Sequence, residues 1–270
     1  MKDKRILFVS SEVVPYLPET ELSSTAFNAA KNAHSKGVQT RIFMPRFGVI
    51  NERRHQLHEV IRLSGMNLVV NDMDMPLIIK VASIPKERMQ VYFIDNEEYF
   101  KRKAVFTDED DTLFPDNDER AIFFAKGVVE TVKKLNWAPD IIHVHGWMAS
   151  LLPLYIKEFY KEEPLFTDSK IVTSLYNHNF EGSLNEELST KVDFDIKDKD
   201  KVAVLQTPNY TNILKSAIDN SDAIIHGSEL ISDDLQSYLN EKEELPVLDF
   251  QSENLKESYL NFYADIISAS

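Results

Sequence analysis

Apolar and polar positions alternate along this chain in two rhythms, one of strands and one of helices. Arg5–Ser10 (RILFVS) is a short continuous apolar run, suited to a strand buried on both faces. Leu22, Ala26, Ala29, Ala30 and Ala33 then recur at helical spacing. They predict a helix over Leu22–Lys36, with Gly37 as its stop. Val38–Met44 alternates as a strand and ends at Pro45. Strand, helix, strand is the opening of a right-handed βαβ unit.

The next stretch breaks the rhythm. Asn67–Val70, Leu77–Ile84 and Gln90–Ile94 are β-prone runs separated by turn residues, which predicts a small mixed β insert over about residues 57–100. Strands and helices then alternate again. Helices are expected at Asp118–Leu135, Trp147–Tyr160, Tyr210–Ile218 and Glu229–Leu239, and strands at Asp140–His145, Lys170–Leu175 and Ala223–His226. Leu255, Tyr259, Leu260 and Phe262 or Tyr263 give a closing helix over Glu253–Ile267. The charged runs Thr107–Glu119 and Asp193–Lys201 read as solvated loops. The alternation predicts an α/β fold: a Rossmann-like, doubly wound, mostly parallel sheet forming one domain over residues 1–270.

Charge and composition narrow the function. With 30 Lys+Arg against 44 Asp+Glu, the net charge is −14, which argues against nucleic acid or an anionic membrane as partner. There are no cysteines, hence no disulfide, thiolate metal site or thiol nucleophile. The apolar part of MKDKRILFVS is too short for a signal peptide, and no run approaches the ~20 residues of a membrane span, so a cytoplasmic protein is expected. Only 7 residues are glycine, where average usage gives roughly 19, and no two lie close together. A glycine-rich phosphate loop is therefore ruled out, and no cofactor is expected.

In open α/β sheets, ligands bind beyond the carboxyl ends of strands. Four segments qualify: Ser10–Tyr16, His143–Met148, Tyr176–Gly182 and His226–Glu229. Glu12 could serve as an acid or base, or accept N–H bonds at the following helix start. His143 and His145 share one strand face and lack a third metal ligand at suitable spacing, so a packed, hydrogen-bonded pair is expected. His145, at the strand end, is kept as a candidate ligand contact. His178 lies between two asparagines, as a sugar contact or as turn chemistry. Trp147, Tyr176 and Phe180 could stack on a sugar. Asp-x-Asp pairs occur five times, which chance delivers in a chain this acidic, and no metal site is assigned.

The landmarks SSEVVPY, MPRFGVI, WAPDIIHVHGWMASLLP, NHNFEGSL and ILKSAIDNSDAIIHGSE, in this order, resemble the N-terminal lobe of bacterial glycogen and plant starch synthases. The resemblance runs from about Arg5 to about Leu239 and implies one lobe of a GT-B glycosyltransferase. Such enzymes move glucose from ADP-glucose onto an α-glucan. It also marks departures. The family's Lys-x-Gly-Gly, which meets the diphosphate and the acceptor, stands here as Pro18, Glu19, Thr20 and Glu21. Its Asp-Trp-His is Gly146-Trp147-Met148, and its His-Asn is Tyr176-Asn177. Asn177 and Gly182 are kept. A like charge beside a diphosphate costs on the order of 1–4 kcal/mol at contact. The C-terminal lobe and its Glu-x7-Glu motif have no counterpart, and the closing helix is expected where a family crossover helix would lie.

The resemblance thus implies a glycogen/starch synthase-like protein that is not catalytic alone. It would bind α-glucan, ADP-glucose or a protein partner through Glu12, His145, Trp147, Tyr176, Asn177, His178 and Gly182. Two alternatives stand beside it. One is a glucosyltransferase completed by a second lobe on a separate chain. The other is a different enzyme in the same cleft, using Glu12, His145 and His178.

Overall fold

The computed structural model describes residues 1–252 and 255–269. Ten strands form its sheet: β1 Arg5–Ser10, β2 Gln39–Pro45, β3 His58–Glu59, β4 Met66–Val70, β5 Met73–Ser83, β6 Gln90–Asp95, β7 Ile141–His145, β8 Lys170–Leu175, β9 Ala223–His226 and β10 Val247–Leu248. The order is β10-β9-β8-β7-β1-β2-β6-β5-β3, with β4 paired to β5. Every pairing from β10 across to β6 is parallel. β5 pairs antiparallel with β3, β4 and β6, which makes one margin antiparallel.

Chain order reverses direction at β1. The chain runs from β1 to β2 and β6 on one side, then crosses back to β7 on the other. Right-handed crossovers place the helices of the two arms on opposite faces. The helix Glu21–Ser35 covers β1 and β2 on one face. Asn117–Leu135, Leu188–Ile196, Tyr210–Asp219 and Asp233–Asn240 belong to the other. The face of β7 and β8 on the Glu21–Ser35 side needs separate cover. The closing helix Leu255–Ser268 supplies it, packing beside Glu21–Ser35 with Tyr259, Tyr263 and Ile266 buried. The closing-helix residues Glu253 and Asn254 lie outside the described residues.

Burial explains the local choices. Ile6, Leu7, Phe8 and Val9 have no exposed surface, because β1 is central and covered on both faces. The small stripe Ala26, Ala29, Ala30 and Ala33 lets its helix approach the sheet closely. Thr20 and Ser23 form a reciprocal capping box at that helix's start.

Several expectations are corrected. Gln90–Asp95 joins the mixed β region to the main sheet: it pairs antiparallel with β5 on one side and parallel with β2 on the other. Trp147–Tyr160 is not one helix but a 3-10 turn, a short α turn and a π turn, because Pro153 contributes no N–H to a continuous ladder. The helix expected from Glu229 starts at Asp233, where Ser232 caps it. Neither charged run is simply solvated. Asp118, 0% exposed, accepts from Lys191 Nζ at 2.8 Å. Asp195, on the helix Leu188–Ile196, accepts from Lys126 Nζ at 2.8 Å and from Tyr155 Oη at 2.8 Å.

Candidate functional site

The sheet's switch point lies between the carboxyl ends of β1 and β7, where open α/β sheets place ligands. The Ser11 N–H donates to the His145 carbonyl at 2.9 Å, and Ser11 Oγ accepts the Met148 N–H at 3.1 Å. Gly146, at φ +82°, turns the chain in the gap, where a Cβ would stand 2.6 Å from Ser11 Oγ. A side chain there would push the two strand ends apart.

Glu12 follows β1 and is nearly buried. One carboxylate oxygen accepts from Thr20 Oγ1 at 3.2 Å, and the other lies 3.4 Å from His178 Nε2. Its hydrogen bond to Glu12 raises the His178 imidazole above its ordinary range, against the opposing effect of burial. The structure therefore brings two sequence-predicted site residues together as a pair, ionic when His178 is protonated, that joins the first loop to the Tyr176–Gly182 loop.

Residues 18–21 are tied into the same junction. Thr20 Oγ1 accepts the Ser23 N–H at 3.0 Å, and Ser23 Oγ accepts the Thr20 N–H at 2.8 Å. The Glu21 carboxylate accepts from the Ser228 hydroxyl in a short contact. Ser228 Oγ in turn accepts the Asn177 N–H at 2.9 Å. The loops after β1, β8 and β9 thus close on one relay ending in a carboxylate. Glu19 and Glu21 offset the positive end of the helix, which would otherwise favour an external anion.

His145 and Tyr176 lie beneath this surface. His145 Nδ1 and Tyr176 Oη are 2.7 Å apart, and the Tyr176 carbonyl accepts from Tyr210 Oη at 2.8 Å. His143 sits beside His145, ring centroids 3.9 Å apart, with Nδ1 2.7 Å from Tyr263 Oη and Nε2 2.7 Å from Ser174 Oγ. Both imidazoles are fully buried. Burial holds His143 well below the ordinary range and pushes His145 down to about 3. Both rings are neutral near neutral pH, and they brace the floor of the site.

Two cavities flank the Tyr176–Gly182 loop. The larger, about 700 Å³, is lined by Val105, Phe106, Asp111, Trp147, His178, Phe180 and Glu181, among others. The smaller, about 230 Å³, is lined by Tyr176, Asn177, Asn179, Phe180, Gly182, Asn209, Tyr210, Thr211 and Ser232. A third, about 470 Å³, runs from Glu19–Thr25 to Phe250–Ser252 and Tyr259. None of the described residues lining the three is Lys or Arg. Sequence reasoning missed the wall formed by Val105, Phe106 and Asp111, of which Asp111 lies in the run read as solvated and the other two just before it. Arg120 Nη2 donates to the Val105 carbonyl at 2.8 Å, and Asn117 Nδ2 donates to the Phe106 carbonyl at 2.8 Å. The one available signal was an arginine set in the apolar stripe of the long helix.

Residues 5–248 match the family model described as the starch synthase catalytic domain. The chain belongs to that family. It is 33% identical over 239 residues to the glycogen synthase of Chlorobium luteolum, covering 87% of this chain and 47% of that protein. It is 34% identical over 232 residues to the glycogen synthase of Chlorobium limicola, covering 86% and 47%. This family member thus spans about half the length of those relatives. Among solved structures, it is similar to the catalytic domain of starch synthase IV from Arabidopsis thaliana bound to ADP and acarbose. The TM-score is 0.72 at 17% identity, over 92% of this chain and 52% of that one. That likeness is one of fold: the mostly parallel sheet is that of a GT-B lobe.

Proposed function

We propose that this starch synthase-family chain is a carbohydrate-binding protein that takes α-glucan and does not transfer glucose by itself. One observation carries the reading. The helix start at the switch point is met by Glu19 and Glu21, with Glu21 bonded to Ser228, and no lysine or arginine lines the described cavities. A diphosphate there finds no lysine or arginine and meets carboxylates costing on the order of 1–4 kcal/mol each. A neutral glucan carries no such penalty. Aromatic rings, amides and hydroxyls at the cavity walls suit its C–H faces and hydroxyl groups.

His178, held by Glu12, and Trp147 line the larger cavity, and Asn177 and Gly182 line the smaller one. His145 and Tyr176 brace it from beneath. The reading carries a cytoplasmic location; it also carries one domain over residues 1–270, which the continuity of the sheet from β10 to β3 among the described residues supports.

A second reading, which family membership supports, is a glucosyltransferase that works only together with a second lobe. Incubating the purified protein with ADP-glucose and glycogen separates the two. No ADP release above a denatured control, together with retention on immobilised glycogen, is expected. Release only after adding cell lysate supports the completed enzyme, and sustained release by the pure chain overturns the first reading.

A further inference from the structure

At the amino edge of the sheet, away from the crevice, a cavity of about 320 Å³ opens where the helix Glu21–Ser35 ends and β2 begins. His34, Gly37, Thr40, Arg41 and Trp137 are among the residues that line it. The lining holds an arginine and no carboxylate, in a chain with 44 Asp+Glu. The three cavities described above have no lysine or arginine at all.

Arg41 carries the argument. Its guanidinium carbon stands 4.7 Å from the Trp137 ring centroid and 5.6 Å from that of Tyr92. Stacking engages the faces of a guanidinium and leaves its in-plane N–H groups to bond. Among the described residues Arg41 forms no ion pair and no side-chain hydrogen bond, and its Nη1 is buried. Buried donors are nearly always satisfied, so one that protein groups leave open points to an ion or a water.

The two helix ends nearby do not account for this cation. Their last carbonyls are already taken by backbone N–H groups: Ala33 by Lys36 and Val38, His34 by Gly37, Lys133 by Asn136 and Val132 by Trp137. The surrounding charge favours an anion over a water. Arg5 and Arg62 lie near enough for their charges to oppose that of Arg41. Lys2 reaches the cavity wall, its Cγ 3.8 Å from where a Cβ on Gly37 would stand. An anion offsets the mutual repulsion of these groups, and a neutral molecule does not.

We propose that this cavity is a binding site for a small oxyanion, a phosphate ester or a carboxylate, held by the N–H fork of Arg41. Either group presents two oxygens at the spacing of that fork. The Thr40 hydroxyl and the His34 imidazole, 3.3 Å apart, add polar partners in the lining. The site is separate from the crevice, and the inference is independent of the carbohydrate reading.

The test uses the full chain, labelled with nitrogen-15, in a buffer free of phosphate and carboxylates. The Arg41 side-chain N–H signal is identified by its loss in Arg41→Lys. Titration with inorganic phosphate, and separately with acetate, is expected to move that signal along a saturable curve, and the anion with the lower Kd identifies the group the site takes. Arg41→Lys keeps the charge and loses the fork, so its affinity for the tighter anion, read by calorimetry, is expected to fall about five- to tenfold. Arg41→Gln is expected to abolish saturable binding. Arg53→Gln, on an exposed turn elsewhere, is expected to stay within about twofold of wild type. Melting curves confirm that the variants fold, and the wild-type titration decides the matter without them. An Arg41 signal that neither anion moves beyond the shift given by chloride at equal ionic strength overturns the proposal. So does affinity in Arg41→Gln equal to that of wild type.

Discussion

Two imidazoles in van der Waals contact, both without exposed surface, make this fold sensitive to acid. The unfolded chain binds protons on His143 and His145 below about pH 6.5, while burial keeps both folded rings neutral, His145 down to about pH 3. Stability is full above the unfolded value and falls as the pH drops below it, by about 1.4 kcal/mol per unit for each ring. Urea midpoints are expected to decline steeply from pH 6.5 to 5, and His145→Gln to remove part of that slope. His178 has the opposite sign. Its folded value is raised by Glu12, so its contribution is present below the unfolded value and is lost as the pH rises through the folded one. His178→Gln should therefore cost stability at pH 6 and little at pH 8, measured by thermal melts. Gly227 faces the Tyr176 ring so closely that a Cβ would stand 2.4 Å from it. Tyr176 is bonded at both its hydroxyl and its carbonyl and has little room to yield. Gly227→Ala should cost about 1–3 kcal/mol in denaturant unfolding.

Elements are joined by charges that local sequence does not announce. Lys191, on the helix Leu188–Ile196, lies between Asp118 and Glu119 at 2.8 Å from each, on the first turn of the helix Asn117–Leu135. Lys191 and Asp118 are almost fully buried. Lys191→Met would leave Asp118 without its cation and should cost about 3–5 kcal/mol, read from urea unfolding. The runs Thr107–Glu119 and Asp193–Lys201 look solvated from composition alone. Their partners Lys126 and Lys191 lie tens of residues away in sequence, and no local window contains them. The Arg5–Ser10, Lys170–Leu175 and Ala223–His226 strands were legible because each is a short apolar run bounded by polar or turn residues. The β6 strand was legible as a strand but not as a parallel one, since hydrophobic alternation carries no direction.

At the scale of the molecule, a single reversal of strand order fixes both the site and its cover. The crossover at β1 opens the crevice where the Glu12, Gly146 and His178 loops meet, and it leaves β7 and β8 uncovered on one face. Tyr263 of the closing helix reaches across that face to His143. Tyr263→Phe removes one buried hydrogen bond and should cost about 1–2 kcal/mol. Tyr263→Ala empties the ring's volume as well and should cost about 3–5 kcal/mol, both measured by thermal and denaturant unfolding.

The amino-acid order alone determined the strand and helix rhythm, the stop at Gly37 and the carboxylates at residues 18–21. Each depends on a residue and its near neighbours, whose spacing sets which side chains share a face and which charge stands at a helix start. Only the tertiary structure decided that Glu12 meets His178, that Glu21 closes on Ser228, and that His145 supports the surface from below. Those pairings join residues far apart in sequence, His145 with Tyr176 at a separation of 31 residues and Glu21 with Ser228 at 207. They exist because the sheet order carries the ends of β1, β7, β8 and β9 to one edge, and no local pattern encodes that order.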